Sequence, residues 1–390
     1  MARETRHWTR RARDGGARLR HSRPARPRRA VAAAACLAGL TALLSACRPA
    51  GQEAYAGEVV VYTALDRQFS EPILRRFTKQ TGIAVRAVYD TESTKTIGLV
   101  NRIRAEAARP RCDVFWNNEV LNTLRLMNEG LLQPCRPPQA DNYPPQYRDP
   151  AGYWHGFAAR ARVILVNRDQ VAESERPRSI ADLAEPRWRG RAGIAKPLFG
   201  TTASHVACLF AKLGPERAKA LLRSLKANDI RIVAGNKTCA QMVAAGELAL
   251  GLTDTDDAIA EVEAGRPVEL VFPDAADHLG AQDAAAASES DGPTSRESPM
   301  GTLVLPNTLA LLRDAPNARQ AQQLIDYLLS AEVEARLARG PSAQIPLNRN
   351  APVRSRVGNL ADLRPMSLDF ADAARQFEAA FEFLEQEMLR

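Results

Sequence analysis

The sequence has few of the residues from which catalytic and metal sites are most often built. Beyond residue 50 it has three histidines, His155, His205 and His278. It contains no His-Glu-x-x-His, no Gly-x-Ser-x-Gly, no P-loop and no dinucleotide-binding glycine pattern. The absence of a Cys-x-x-Cys pair argues against zinc. These gaps predict that the protein is not an enzyme, and that His205, on an apolar predicted helix, is structural.

The positive charge of the chain is concentrated at its beginning. The 390 residues carry 53 basic and 45 acidic side chains, and residues 1–30 alone hold eleven arginines against Glu4 and Asp14. Without that segment, 42 basic and 43 acidic residues remain. A protein that binds nucleic acid needs its basic residues on the folded part of the chain, so the charge pattern predicts no nucleic-acid partner.

The first 46 residues have the pattern of an export signal. Sixteen uncharged, mostly apolar residues follow the arginines at 31–46, too few for a span of about 20 residues across a membrane and typical of a signal peptide. Leu44–Cys47 resembles a bacterial lipobox, which predicts that Cys47 is lipidated. An ordinary secretory signal cleaved nearby and a retained anchor are the alternatives. Each version predicts an exported protein, periplasmic or on the cell surface, and the lipobox predicts a membrane-tethered lipoprotein.

Four cysteines remain beyond Cys47. An even number in an oxidising compartment favours disulfides. We expect the pairs Cys112–Cys135 and Cys208–Cys239, with buried free thiols as the alternative.

Short apolar runs alternate with helical periodicity along most of the chain, a pattern typical of α/β proteins with largely parallel sheets. A Pro-rich and Tyr-rich stretch at 143–156 interrupts the alternation, and a second α/β series follows it. A Ser-, Ala- and Asp-rich segment at 275–299 indicates a surface insertion. The predicted segments are a signal peptide (1–46), a tether (47–57), the first part of lobe I (58–160), lobe II (161–270), an insertion (271–300), a return to lobe I (301–345) and a C-terminal helical segment (346–390).

Polar residues follow four of the predicted strands. In open α/β sheets ligands gather beyond the carboxyl ends of the strands, so these loops are candidate binding elements. They are 63–66, 117–119, 199–202 and 253–257.

Two of these loops carry a specific chemical signal. Gly200-Thr201-Thr202 opens a predicted helix, so its N–H groups could hold an anion; a simple N-cap by either threonine is the alternative. Thr253–Asp257 places three carboxylates within four residues, which repel one another unless a cation, a donor-rich ligand or an arginine compensates. Helix capping with solvated charge is its alternative. A distant third interpretation is a phosphatase-like hydrolase that uses Asp254 and Asp256.

Six segments together resemble the ferric-iron-binding periplasmic proteins, extracellular solute-binding proteins (family 1) of bacterial ABC importers. The resemblance covers nearly all of 58–350 and implies a two-lobed type II periplasmic-binding-protein fold. Its two mixed, mainly parallel sheets would meet at a hinge that closes on the ligand. The segments are Val59–Asp66, Phe77–Ile83, Asp113–Glu119, Phe157–Arg162, Gly193–Thr202 and Ser342–Asn348.

The resemblance also implies ligand residues. Iron-binding members use two adjacent tyrosines, commonly a histidine and a glutamate, and an anion at a helix N-terminus, whereas this chain has no Tyr-Tyr pair. When the shared motifs are matched in order along the chain, Asp66 occupies the position of the histidine, Asn118 or Glu119 that of the glutamate, and Asp256-Asp257 that of the tyrosines. The predicted metal ligands are Asp66, Glu119, Asp256 and Asp257. The other predicted ligand-binding residues are Asn117, Asn118, Arg160, Gly200, Thr201, Thr202, Asn236 and Asp254.

Two ligand classes fit these residues. The first is Fe(III) held by carboxylates together with a synergistic anion, and the second is a small organic anion, such as a phosphonate or a phosphorylated compound, bound by Arg160 and the Thr201 region. The implied protein is a monomer with an ABC permease and ATPase as partners, attached to the membrane only through its lipid. A tethered sensor or scavenger would use the same fold.

Overall fold

The computed structural model describes residues 56–90, 96–275 and 300–389. Strands and helices alternate through most of this chain. The strands are β1 (Gly57–Thr63), β2 (Ile83–Tyr89), β3 (Val114–Asn117), β4 (Leu132–Gln133), β5 (His155–Asn167), β6 (Ala192–Ala195), β7 (Arg231–Val233), β8 (Leu250–Asp254), β9 (Val268–Val271) and β10 (Val304–Leu312). The helices are α1 (Arg67–Thr81), α2 (Ile97–Ala105), α3 (Leu121–Asn128), α4 (Gly200–Leu213), α5 (Pro215–Ala227), α6 (Asn236–Ala244), α7 (Thr255–Glu263), α8 (Ala318–Leu328), α9 (Ala331–Arg339) and α10 (Phe370–Phe383).

The first half of the sheet is built around β1. This strand runs parallel to β2 on one side and to β3 on the other. β10 then returns antiparallel to β3 and pairs with the first part of β5. The ends of β1 and β3 therefore face the same edge, which brings Asp66 and Asn118 towards each other.

The second half of the sheet is built around β8. This strand runs parallel to β6, which in turn pairs in parallel with β7. The second part of β5 lies antiparallel to both β8 and β9. The carboxyl ends of β6 and β8 lead directly into the loops that carry the predicted anion and carboxylate residues.

β5 connects the two halves. Its residues up to Ala161 pair with β10, and its residues from Arg162 onwards pair with β8. The ladder to β10 shifts register between Leu305 and Asn307, and Ala158 adopts a left-handed conformation with φ of 43°. β5 is fully buried, so its polar side chains must find partners inside the protein.

The C-terminal helix α10 contacts both halves. It packs on α4 of the second half and on α3 of the first. The rings of Phe210 and Phe383 lie 6.0 Å apart between α4 and α10. On the other side, the guanidinium of Arg125 on α3 lies 4.5 Å from the ring centroid of Phe377 and forms an ion pair with Glu378.

The structure contradicts the predicted disulfide pairs Cys112–Cys135 and Cys208–Cys239, because all four cysteines are buried free thiols. The Cys112 Sγ lies 3.1 Å from the main-chain oxygen of Val114. Burial raises the pKa of Cys135 to about 11 and that of Cys239 to about 12. Reactive thiolate is therefore scarce at neutral pH.

Several predictions fall on residues outside the described ranges. They are the signal peptide 1–46, lipidation at Cys47, most of the tether 47–57, and residues 276–299 of the predicted insertion. The other segment boundaries stay predictions, including the boundary at 160/161, close to the point where β5 changes partners. Among the described helices, none is long and apolar enough to cross a membrane.

Candidate ligand-binding site

A small polar cavity lies where the strand ends of the two halves meet. Its volume is about 50 Å3. The first half contributes residues after β1 and β3, and the second half contributes residues after β6, β7 and β8. Ten of the predicted site residues line it, namely Asp66, Asn118, Arg160, Gly200, Thr201, Thr202, Asn236, Asp254, Asp256 and Asp257.

Asn117 and Glu119, also predicted as ligand residues, are not among those that line the cavity. Glu119 is buried, and its carboxylate accepts hydrogen bonds from the main-chain N–H groups of Leu121 (2.7 Å) and Asn122 (3.1 Å). It also accepts from the Asn117 side chain at 2.8 Å and from Ser204 Oγ at 2.7 Å. With these donors, Glu119 satisfies the N-terminus of α3 and links it to α4, and its assignment as a metal ligand stays a prediction.

Asp254 is buried at the end of β8 and accepts hydrogen bonds at both carboxylate oxygens. Its Oδ1 accepts from Arg162 Nη1 at 2.7 Å. Its Oδ2 accepts from Thr201 Oγ1 at 2.6 Å and from Asn236 Nδ2 at 3.1 Å. Burial alone would raise the pKa of Asp254, but the guanidinium groups of Arg162 and Arg160 hold it below its usual value. Asp254 is therefore a carboxylate that the protein itself neutralises.

Arg162 is the main site residue that sequence reasoning missed. Its side chain is 1% exposed. Besides Asp254, its Nη1 donates to Asn236 Oδ1 at 3.0 Å and its Nε to His205 Nδ1 at 3.4 Å. One feature of the sequence could have indicated it. Side chains alternate between the two faces of a strand, so Arg162 must lie on the same face of β5 as the predicted site residue Arg160.

Arg160 connects carboxylates of the second half to the first half. Its Nη1 lies 3.4 Å from Oδ2 of both Asp254 and Asp256. Its Nη2 donates to the main-chain oxygen of Asn118. Its Nε is buried and has no partner among the described residues. Arg160 thus has two roles. It neutralises Asp254 and Asp256, and it links the two halves through Asn118.

The acidic run at 254–257 forms a compact oxygen cluster. One carboxylate oxygen from each of Asp254, Asp256 and Asp257 lies within 4.8 Å of the others. Asp256 and Asp257 are half-buried in the first turn of α7, where the helix dipole favours negative charge. The expected compensation by arginine is present at Asp254 and, through Arg160, at Asp256, and all three aspartates line the cavity.

The N-terminus of α4 is not capped by either threonine. The helix begins at Gly200 after Phe199, without a side-chain capping bond, so the simple N-cap alternative is wrong. Gly200 has φ of 54°, a conformation that favours glycine. Thr201 and Thr202 instead turn their hydroxyl groups towards Asp254 and Asn236.

Lys196 is a second cationic residue that sequence reasoning missed. It follows β6 on the cavity wall, with its Nζ 6.0 Å from the ring centroid of Phe199. Two cations, Lys196 and Arg160, therefore line the cavity together with four aspartates. The position of Lys196 close to Gly200-Thr201-Thr202 was the only feature of the sequence that indicated a place at the site.

The fold is that of the two-lobed periplasmic binding proteins. A solved structure of iron-bound HitA from Pseudomonas aeruginosa matches with a TM-score of 0.69 and 26% identity, covering 83% of this chain and 98% of the other. Residues 116–276 match the family model described as bacterial extracellular solute-binding protein, which is not a family of enzymes.

Two named relatives carry the same resemblance. Iron uptake protein A1 of Synechocystis sp. strain PCC 6803 is 28% identical over 309 residues, covering 79% of this chain and 80% of the relative. The Fe(3+)-binding periplasmic protein of Serratia marcescens is 29% identical over 194 residues, half of this chain and 56% of the relative. The resemblance to ferric-iron-binding periplasmic proteins is confirmed.

Proposed function

We propose that this protein is the solute-binding component of an ABC importer and captures Fe(III) in the cavity between its two lobes. The observation that carries the proposal is the oxygen cluster on the cavity wall. Fe(III) is a hard cation, and hard cations prefer carboxylate oxygens. Asp256 and Asp257 from the second half would bind the ion, and Asp66 from the first half would complete the site as the lobes close.

The size and charge of the cavity support a small ion. About 50 Å3 is close to the volume that one or two water molecules occupy in the liquid, about 30 Å3 each. The lining aspartates outnumber the lining cations, so a cation would reduce the remaining repulsion between carboxylates. Among the described residues, no tyrosine lines the cavity, so the ferric complex would be pale, without the red colour of phenolate-bound iron.

The cellular setting follows from the signal sequence and the relatives. We propose an exported, monomeric protein that is anchored by a lipid at Cys47 and passes its ligand to a permease and an ATPase. The names of the two iron-related relatives support iron transport and a periplasmic location. The lobes would close on the ligand by hinge motion, with β5 and its bulged partner β10 as the crossing strands.

A second candidate ligand is a small organic anion, a phosphonate or a phosphorylated compound. The unpartnered buried Nε of Arg160 and the nearby Lys196 favour it. Such a ligand would place its negative end at these cations and its hydroxyl groups at Asp256 and Asp257, and the lobes would have to open further to admit it.

Replacing both Asp256 and Asp257 by asparagine tests the iron proposal. Ferric affinity, measured by titration with ferric citrate, should fall at least about a hundredfold, because removing ligands costs more than the 10-fold to 100-fold loss seen for outer-shell partners. The matched control is Glu261→Gln with Glu263→Gln, which removes the same charge from α7 outside the cavity. An unchanged ferric affinity in the aspartate variant would refute the proposed ligands, and tight uptake of a sugar phosphate without iron would favour the second candidate.

A further inference from the structure

The N-termini of α4 and α6 converge on one buried carboxylate. Thr201, in the first turn of α4, donates to Asp254 at 2.6 Å, and Asn236, the first residue of α6, donates to it at 3.1 Å. Helix N-termini attract negative charge because their N–H groups and dipoles point towards it. The Thr201 hydroxyl and the Asn236 side-chain amide, which could donate to an external anion at these N-termini, are therefore already bound to a side chain of this chain.

The buried guanidinium of Arg162 completes this arrangement. It pairs with Asp254 Oδ1 at 2.7 Å, and both side chains are at most 3% exposed. Nη1 also donates to Asn236 and Thr201, while Nη2 donates to Thr202 and Nε to His205. An unpaired guanidinium at this depth would carry a large desolvation cost. Some anion must therefore stay beside Arg162, and the chain supplies it.

We propose that Asp254 is the built-in counter-anion of the binding site and that it determines specificity by excluding external anions from the N-terminus of α4. Ligand capture then depends on Asp66, Asp256 and Asp257 and requires no synergistic anion at that place. The iron part of this inference rests on the proposed function, whereas the exclusion of anions concerns the protein without ligand and can be tested separately.

The first test is titration of the iron-free protein with inorganic phosphate in a calorimeter. Asp254→Ala should bind phosphate at least about tenfold more tightly than the wild type, a difference of about 1.4 kcal/mol. Adding Thr201→Val to Asp254→Ala should remove most of the gain in phosphate affinity, which would show that the phosphate binds at the N-terminus of α4. Phosphate binding by the wild type as tight as that of Asp254→Ala would overturn the proposal.

The second test needs no variant, which matters because Asp254→Ala leaves Arg162 unpaired and could fail to fold. Ferric affinity of the wild type, measured by competition with citrate, should be the same within twofold with and without phosphate. A tenfold or larger increase with phosphate would overturn the built-in anion while leaving iron capture intact. If the wild type takes up no iron in either condition, the proposed function fails, and the phosphate titration of the iron-free protein still decides the present inference.

Discussion

His205 shows how the buried polar cluster constrains a single residue. Its Nδ1 accepts from Arg162 Nε at 3.4 Å, and its Nε2 has no partner among the described residues. Burial, and secondarily the charge of Arg162, lowers the pKa of His205 to about 3. The imidazole is therefore neutral in the folded protein at every pH at which the protein would normally be handled, and its geometry is that of the structural residue that the sequence predicts.

The pKa of His205 predicts a pH dependence of stability. The unfolded chain protonates this residue near pH 6.5 and the folded protein only near 3, so the unfolded state binds the extra proton as the pH falls between these values. The free energy of unfolding should decrease by about 1.6 kcal/mol from this residue between pH 6.5 and 5.

His205→Asn keeps an acceptor for Arg162 and removes the titration. Urea unfolding of both proteins at several pH values should show the shallower pH slope in the variant. Equal slopes would mean that His205 takes up its proton in the folded state as well.

The site residues that follow strand ends could be predicted from the sequence, because the local strand pattern and the order of the strands are enough to locate polar residues there. Arg162 and Lys196 could not be assigned in this way. Arg162 lies within an apolar strand, where the pattern gives its face but not its partner Asp254, which is 92 positions away. The partners of Glu119 could not be predicted for a related reason, since its donor Ser204 comes from the other half.

Among the elements, β5 and the helices at 318–339 show what periodicity leaves undetermined. The apolar run predicts a strand only from Val163, but the strand begins at His155, because pairing with β10 imposes extended structure on residues that show no alternating pattern. The helical pattern of 318–339 is continuous in the sequence, yet two helices form, α8 and α9. Ser330 starts the second by accepting a hydrogen bond from the N–H of Val333. The apolar period of Phe370, Ala373 and Phe377 predicts an amphipathic helix within the C-terminal segment 346–390, and α10 forms there.

The packing of α6 on β8 depends on glycine at 251. A Cβ at this position would lie 2.7 Å from Cys239 Sγ and 2.8 Å from Val243 Cγ2. Gly251→Ala should therefore lower the free energy of unfolding by about 1–3 kcal/mol, the usual cost of overpacking a core, as measured by urea denaturation.

Cys239→Ala provides the control for this prediction. It removes the nearer clashing atom, so the double variant should be more stable than the sum of the two single changes predicts, by at least about 0.5 kcal/mol. Strict additivity would show that the Cys239 thiol is not what opposes the added methyl group.

At the scale of the whole molecule, α10 ties together elements of both halves. It packs on α4 and α3, and Arg125 on α3 contacts Phe377 and Glu378 on α10. If opening moves α3 away from α10, these contacts stabilise only the arrangement described here. They would then contribute to ligand retention without touching the ligand.

Arg125→Ala tests that coupling. Exposed ion pairs and cation–π contacts each contribute about 0.5–1 kcal/mol, so the loss of both should make ferric ion dissociate about fivefold to thirtyfold faster into a chelator, followed by stopped flow. Arg375→Ala is the control, because Arg375 pairs with Asp372 within α10 itself and its loss should leave the rate unchanged. Equal rates for Arg125→Ala and wild type would mean that α3 and α10 move together when the lobes open.

The sharing of β5 between the halves also bears on how the protein unfolds. Its 13 residues pair with β10 up to Ala161 and with β8 from Arg162 onwards. Neither half can therefore lose its part of β5 without exposing unpaired backbone groups of the other. The two lobes move separately in ligand capture but should unfold as one cooperative unit. A substitution that destabilises one lobe therefore lowers the stability of the other as well.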